Sequence, residues 1–229
     1  MPGDLLDYYL SLGYYRMNQD LFTCRFLPVE SNLYTVHWLR LVVPRVQYGS
    51  KQRQLLRQNA RFTTTVLPFR LTAEYEALYA RYHQSVDFDT AESLEALLLA
   101  GAAHSVFNTQ LIEVRDGDQL IAAGVFDCGT DSIAGIVNFY DPNYRKYSLG
   151  KYLLLLKTEY ARQQHLAYYY PGYLVQGYAK FDYKLFACPA ATEVFDCRSS
   201  QWRPFSWEAV HEQSAALLGE WRDSWVDEA

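Results

Sequence analysis

The chain predicts an α+β protein, a mixed sheet flanked by helices, and three observations carry that expectation. Strand-like segments on either side of Asp116-Gly117 mark a hairpin, because that dipeptide suits a two-residue turn. Segments with a 3.6-residue apolar period stand before and after this region. A strand then leads through a loop containing Gly150 into a long helix, a geometry that can bind phosphate at the helix start.

Taken in order, residues 4–12 read as a helix closed by Gly13. Residues 35–43, TVHWLRLVV, read as a strand stopped by Pro44. A helix over 50–59 and a strand over 61–67 follow. Thr72 opens a helix to residue 83, with Glu74 and Glu76 as first-turn acids. Residues 91–100 form another helix, closed by Gly101. Residues 105–115, 119–126 and 132–140 predict an antiparallel meander of three strands. Residues 148–164 carry apolar side chains at helical spacing, 165–170 a short aromatic strand ending at Pro171-Gly172, and 206–225 a final amphipathic helix. No internal repeat or Gly/Ser-rich linker occurs. The expected organisation is an N-terminal region over 1–60 with a basic helix, packed tightly on a domain over 61–229 with an acidic last helix.

Composition narrows the class. Of 229 residues, 50% are hydrophobic and 21% charged, which excludes a disordered or low-complexity chain. No apolar run approaches the roughly 18 residues of a membrane span, and MPGDLLDYYL has no basic leader region. A cytoplasmic protein with no membrane partner is expected. Cys24, Cys128, Cys188 and Cys197 form no CxxC pair, so they read as reduced thiols with neither metal nor cofactor. The net charge of -5 argues against nonspecific coating of nucleic acid, yet it is unevenly spread. Residues 207–229 hold six acids against Arg222, whereas residues 40–61 hold six bases and no acid. Arg53 and Arg57 share a helix face within that basic strip, which is either a solvated surface or a landing strip for phosphates. The loop Arg145-Lys146-Tyr147-Ser148-Leu149-Gly150-Lys151 offers three cations, a hydroxyl and backbone N–H groups at a helix start; a plain surface cap is the other reading.

Three stretches go further: IAAGVFDCGTDSIAGIVNFYDPNYRKYSLGKYL, YYYPGYLVQGYAKFDYKLF and SKQRQLLRQN. Together with LYARYH and the turn Gly13-Tyr14-Tyr15-Arg16, they resemble the aminoacyl-tRNA–protein transferases, the arginyltransferases and bacterial leucyltransferases, over residues 8–186. The resemblance implies a GNAT-like fold in which a charged tRNA end takes the place of acyl-CoA. Tyr140-Asp141-Pro142 and Ser148-Leu149-Gly150 match the family's FYDP and SLG; Tyr169, Tyr170, Gly172, Tyr173, Lys180, Tyr183 and Lys184 match its YYxxGYY and K-M-x-Y-K run. Arg40, Gln52, Arg53, Arg57 and Asn59 match its basic segment. Three departures stand out. Cys24 is alone where the family commonly has a cysteine cluster, so no metal or cluster is implied; Met17 follows Arg16 where a second Arg is usual; and Tyr178 replaces a cysteine.

What the resemblance implies chemically is transfer of an amino acid, arginine or leucine, from aminoacyl-tRNA to the N-terminal amine of an acceptor protein beginning with Asp or Glu, as in N-degron tagging. An α-amine titrating at roughly 7.7–8.0 needs little help to become a nucleophile. Positioning should therefore dominate, along with a proton for the leaving ribose oxygen. Tyr170 and Tyr173 are the expected proton donors, or else packed aromatics. Asp141 would hold a substrate cation, or else form the turn before Pro142. Lys180 and Lys184 would meet the acceptor's carboxylate or phosphate, or stay solvated. Tyr140, Arg145, Lys146, Ser148, Gly150 and Lys151 would hold the acceptor end of the tRNA, with Arg53 and Arg57 extending the contact. The competing readings are an acyl-CoA-dependent N-acyltransferase and a binding module for tRNA or degron without turnover.

Overall fold

Nine strands form one sheet in the computed structural model, which describes residues 1–87 and 90–226. The order is β11 (Gln201–Pro204), β10 (Thr192–Asp196), β4 (Asn32–Val42), β9 (Tyr168–Val175), β8 (Ser132–Tyr140), β7 (Gln119–Cys128), β6 (Thr109–Asp116) and β5 (Thr63–Pro68). A further strand, β3 (Phe26–Val29), pairs with the start of β4, and β1 (Tyr15–Met17) forms a separate hairpin with β2 (Asp20–Phe22). The predicted meander is β6-β7-β8, turning at Gly117, whose φ of +59° is the left-handed conformation that glycine tolerates. All pairings in the large sheet are antiparallel except β8 with β9.

Both faces of the sheet are covered, so β7 reads as a nearly continuous apolar run, LIAAGVF. Helices α3 (Ala73–Ser85) and α4 (Leu94–Leu98) bury Tyr79, Leu94 and Leu98 with Leu111, Val125 and Phe139 on one face. On the other, α2 (Ser50–Asn59) and α5 (Leu149–Gln163) bury Leu55, Leu149 and Leu153 with Ile112, Phe126 and Tyr169. Helix α1 (Gly3–Ser11) adds Leu6 and Leu10 to a cluster with Trp38 and Tyr170, and α6 (Trp207–Val226) docks on β4. There His37 meets Ser214 at 2.8 Å, and Ser214 meets Thr35 at 2.6 Å.

Helix α2 forms where its pattern predicts it, and Thr72 caps α3 by accepting the Tyr75 N–H. Three elements differ, among them β6, which starts at Thr109 and not at residue 105. Helix α4 begins only at Leu94, because Ser93 takes the cap position by accepting the Ala96 N–H. Strand β9 does not end at Pro171-Gly172 but runs to Val175. Its register with β4 shifts between Leu39 and Leu41, so an extra residue fits and a proline that donates no ladder bond is tolerated. The hairpins β1-β2 and β10-β11 and strand β3 go unforeseen because segments of three to five residues carry no measurable period. The expected boundary between residues 60 and 61 falls between α2 and β5, and β4 lies inside the sheet between β10 and β9. Asp227 and Glu228, two of the C-terminal acids, lie outside the described residues. Among the described residues no helix is long and apolar enough to cross a membrane.

Candidate active site

Strands β8 and β9 run parallel only while residues 132–134 face 168–170. Beyond Ala134 and Tyr170 the two strands separate, and a cavity of about 680 Å³ opens between their C-terminal ends. Strand β8 presents Gly135, Val137, Asn138 and Tyr140 to it, and β9 presents Pro171, Gly172 and Tyr173. The ladder between β7 and β8 is irregular at the same point: Val125 faces Val137 and Phe126 faces Gly135, which leaves Ile136 as a bulged residue. Gly135 is needed here, since a Cβ would fall 2.9 Å from the Tyr169 hydroxyl.

The rim of the cavity is the start of α5. A 3-10 turn, Pro142–Tyr147, delivers the chain to Ser148, whose φ of 50° and ψ of 47° are left-handed. The Ser148 side chain makes no cap bond, so no side chain caps the first-turn N–H groups. Ser148, Gly150 and Lys151 line the cavity together with Arg145, which also donates to the Ser85 carbonyl at 3.0 Å. Helix α2 clamps this loop from behind: Asn59 donates to the Tyr147 carbonyl at 3.1 Å, Gln58 to that of Lys146 at 3.3 Å, and Phe62 packs edge-on against Tyr147. The α2 arginines are thereby held in fixed relation to the α5 start.

The opposite wall is aromatic and cationic. Tyr15 stacks on Trp38 with ring centroids 3.9 Å apart, and Trp38 meets Tyr173 edge-on at 5.0 Å. A 3-10 segment, Ala179–Phe186, supplies Lys180, Tyr183 and Lys184. Lys184 is 8% exposed, donates to the Tyr173 carbonyl at 2.8 Å, and lies 4.4 Å over the Phe181 ring. Burial, then the neighbouring Lys180, lower its amine to about 7. Gly172, at φ +103°, makes room for this side chain: a Cβ there would lie 3.3 Å from the Lys184 Cε. Burial raises the Tyr173 phenol, which keeps it protonated at neutral pH.

Eight of the residues expected from sequence thus line one cavity: Tyr140, Arg145, Ser148, Gly150, Lys151, Tyr173, Lys180 and Lys184. Five do not. Tyr170 is 2% exposed and packed edge-on between Tyr15 and Trp202, and burial pushes its phenol up to about 12. Tyr170 does not line the cavity, whereas Tyr173 does. Asp141 does not face the cavity either: it accepts the Asn143 N–H at 2.9 Å and pairs with Arg81 at 3.5 Å, which is the turn-forming reading. Lys146, Arg53 and Arg57 are exposed on the surface beside the loop.

Sequence reasoning assigned no role to Arg16, Asn138 or Lys157, all of which line the cavity. For Lys157 a signal existed: it stands four residues after Leu153 on the buried face of α5, where a lysine without a purpose is rarely left. No group of three or more His, Cys, Asp or Glu side chains able to hold a metal occurs among the described residues, and all four cysteines are free.

Residues 74–191, just over half of the chain, match the family described as the C terminus of arginine-tRNA-protein transferase. The chain is similar to the aspartate/glutamate leucyltransferase of Hahella chejuensis, 34% identical over 58% of this chain and 58% of that one. It is also similar to the enzyme of the same name from Nitrosococcus oceani, 31% identical over 63% of this chain and 62% of that one. The matches therefore span about three fifths of these relatives' own length. Among solved structures, FemX superposes with a TM-score of 0.48 at 9% identity, over 77% of this chain and 61% of that one.

Proposed function

The chain belongs to the aminoacyl-tRNA–protein transferase family, and from that membership we propose that it moves a leucyl group from leucyl-tRNA to the N-terminal amine of a protein beginning with Asp or Glu. The observation that carries this reading is the cavity between the splayed ends of β8 and β9, with an uncapped helix start on its rim and cations along its walls. We read the same opening as GNAT-like, with the aminoacyl ester taking the place of a thioester.

The choice of leucyl over arginyl rests on chemistry. No Asp or Glu is among the described residues lining the cavity, whereas a guanidinium needs a carboxylate to replace its water. Phe22, Leu97, Ile136 and Leu154 supply apolar wall instead. The names of the relatives agree with this reading. An acidic acceptor fits the lysines: with the cavity empty, burial leaves Lys184 close to neutral, and an incoming carboxylate restores its proton and holds it as an ion pair. Arg145, Ser148, Gly150 and Lys151 take the phosphate of the tRNA end, and Arg53 and Arg57 extend the contact along the nucleic acid.

In the reaction the neutral amine attacks the ester carbon, the C–N bond forms as the bond to the ribose oxygen breaks, and the proton lost by the amine is matched by one gained by that oxygen. Tyr173, protonated and on the cavity wall, is our choice for the donor. Confinement of two substrates in one cavity supplies most of the acceleration, since effective molarity is worth roughly 7–11 kcal/mol.

Purified protein incubated with labelled leucyl-tRNA, arginyl-tRNA or acetyl-CoA and a peptide beginning with Asp tests the reading. Label is expected to move from leucyl-tRNA. Transfer from acetyl-CoA would make the protein an acyl-CoA enzyme, transfer from arginyl-tRNA would overturn the apolar pocket, and tRNA binding with no transfer would reduce it to a binding module. The basic strip is tested separately. Changing Arg53→Glu with Arg57→Glu is expected to weaken tRNA binding about tenfold or more at 0.1 M salt, and to flatten the logarithmic salt dependence by about two phosphate contacts. Binding that keeps its affinity and slope would make that strip a solvated face.

A further inference from the structure

Lys157 is 1% exposed, and its amine sits where the β7-β8 ladder is broken. Its Nζ donates to the Val125 carbonyl at 2.7 Å and to the Val137 carbonyl at 3.4 Å. Val125 and Val137 are the facing pair at the edge of the irregularity that leaves Ile136 extra. A bulge disrupts the ladder locally, and a buried carbonyl without a donor is costly. The lysine therefore brings, from a helix, donors to two strand carbonyls at the point where the ladder is irregular.

Two further features agree. Two carbonyls use the two N–H groups of a neutral amine, and burial lowers Lys157 to about 7, with Asp127 opposing the shift. The sheet also leaves a slot for its stem at Gly124, where a Cβ would lie 3.0 Å from the Lys157 Cε and 2.9 Å from the Asn138 Oδ1. The bulge that this arrangement fixes is part of the cavity: Gly135, Ile136, Val137 and Lys157 all line it.

We propose that Lys157 is a positioning residue for aminoacyl transfer, pinning the bulge of β8 through the Val125 and Val137 carbonyls so that the backbone of residues 135–137 meets the reacting ester in one fixed geometry. The proposal rests on the reading of the cavity as the transfer site. Lys157 acts through the strand, so its loss touches the rate and leaves substrate affinity in place.

The test compares Lys157→Met, which keeps the length of the side chain and removes its donors, with Lys157→Gln, whose amide carries two N–H groups. In the transfer assay Lys157→Met is expected to lose about 30- to 100-fold in kcat with the KM for aminoacyl-tRNA within about twofold, because a displacement near 1 Å costs that much. Lys157→Gln is expected to recover most of the rate. Amide hydrogen exchange over residues 132–140 should accelerate in Lys157→Met and return in Lys157→Gln. That readout needs no turnover, so the two failures are distinguishable: wild-type protein inert with every donor would overturn the function and with it the role in transfer, whereas unchanged exchange in Lys157→Met overturns the pinning of the bulge whatever the protein transfers. Wild-type kcat in Lys157→Met, or a loss confined to KM, overturns it as well. Should Lys157→Met not fold, Gly124→Ala displaces the amine without removing it, and it is expected to lower kcat in the same way; an unaffected kcat there would sink the proposal.

Discussion

Replacing Arg16 by methionine is expected to cost the fold about 3–5 kcal/mol, the penalty for stranding one member of a buried ion pair. Arg16 and Asp127 meet at 2.9 Å with side chains 1% and 0% exposed. The same guanidinium donates to Thr109 at 2.9 Å and to the Leu98 and Asn18 carbonyls at 2.5 Å, and lies 4.6 Å over the Phe107 ring. One side chain thus joins the β1-β2 hairpin, the end of α4 and two strands of the sheet. Without it Asp127 keeps only the Thr109 hydroxyl, because its Oδ2 already lacks a partner. For a chain of this size the loss is about 10 °C in melting temperature.

The sign of its pH dependence makes the expectation specific. Burial raises the Asp127 carboxyl even with Arg16 beside it, and removing the cation raises it further. The folded variant then binds a proton more tightly than the unfolded chain, so its stability falls as pH rises from the ordinary carboxylate range, about 3.9, toward the raised folded value. Urea unfolding at pH 5.5 and pH 8 should show the Arg16→Met deficit shrinking toward acid. Adding Asp127→Asn should return much of it, since neither partner is then left charged and alone. A deficit independent of pH would mean that packing against Phe107, and not the charge, is what Arg16 contributes.

The second large effect is a rise in stability between about pH 7 and 9. In the unfolded chain a lysine titrates near 10.4 and keeps its proton throughout this window. In the folded protein Lys157 and Lys184 have been lowered to about 7, chiefly by burial, so each has lost its proton by pH 8. The unfolded state binds more protons, and stability therefore climbs with pH by up to about 1.4 kcal/mol per unit for each lysine. The gain disappears below about pH 7, where the folded amines recover their protons. Denaturant midpoints at pH 7, 8 and 9 measure the slope, and Lys184→Met should remove about half of it. A flat profile would mean that both amines remain charged inside the protein.

Much of the site was legible because its chemistry is carried by local segments. The α5 start, with Arg145, Ser148, Gly150 and Lys151, is a loop-to-helix junction whose residues are contiguous, and Lys180 and Lys184 share one short segment with Tyr183. Tyr170 and Asp141 show where that legibility stops. A run of three tyrosines does not say which ring faces a cavity and which faces a core, because the facing depends on a register shift set by a strand more than a hundred residues earlier. Asp141 next to a proline was equally suited to a turn and to a substrate, and the choice fell to Arg81 on another helix. Lys157 carried a signal in its position, yet its purpose is visible only beside the carbonyls of two strands.

By itself the sequence determined which segments become helices, where the meander turns, which stretch is basic and which family the chain belongs to, since period, turn residues and motifs are properties of neighbours along the chain. Tertiary structure alone decided that β4 is inserted between β10 and β9, that the one parallel pair separates into a cavity, and that a bulge is held open there by a buried amine. Those outcomes depend on pairings between residues far apart, whose free energy is a sum over both partners and the surfaces that they bury, and no single segment contains that sum.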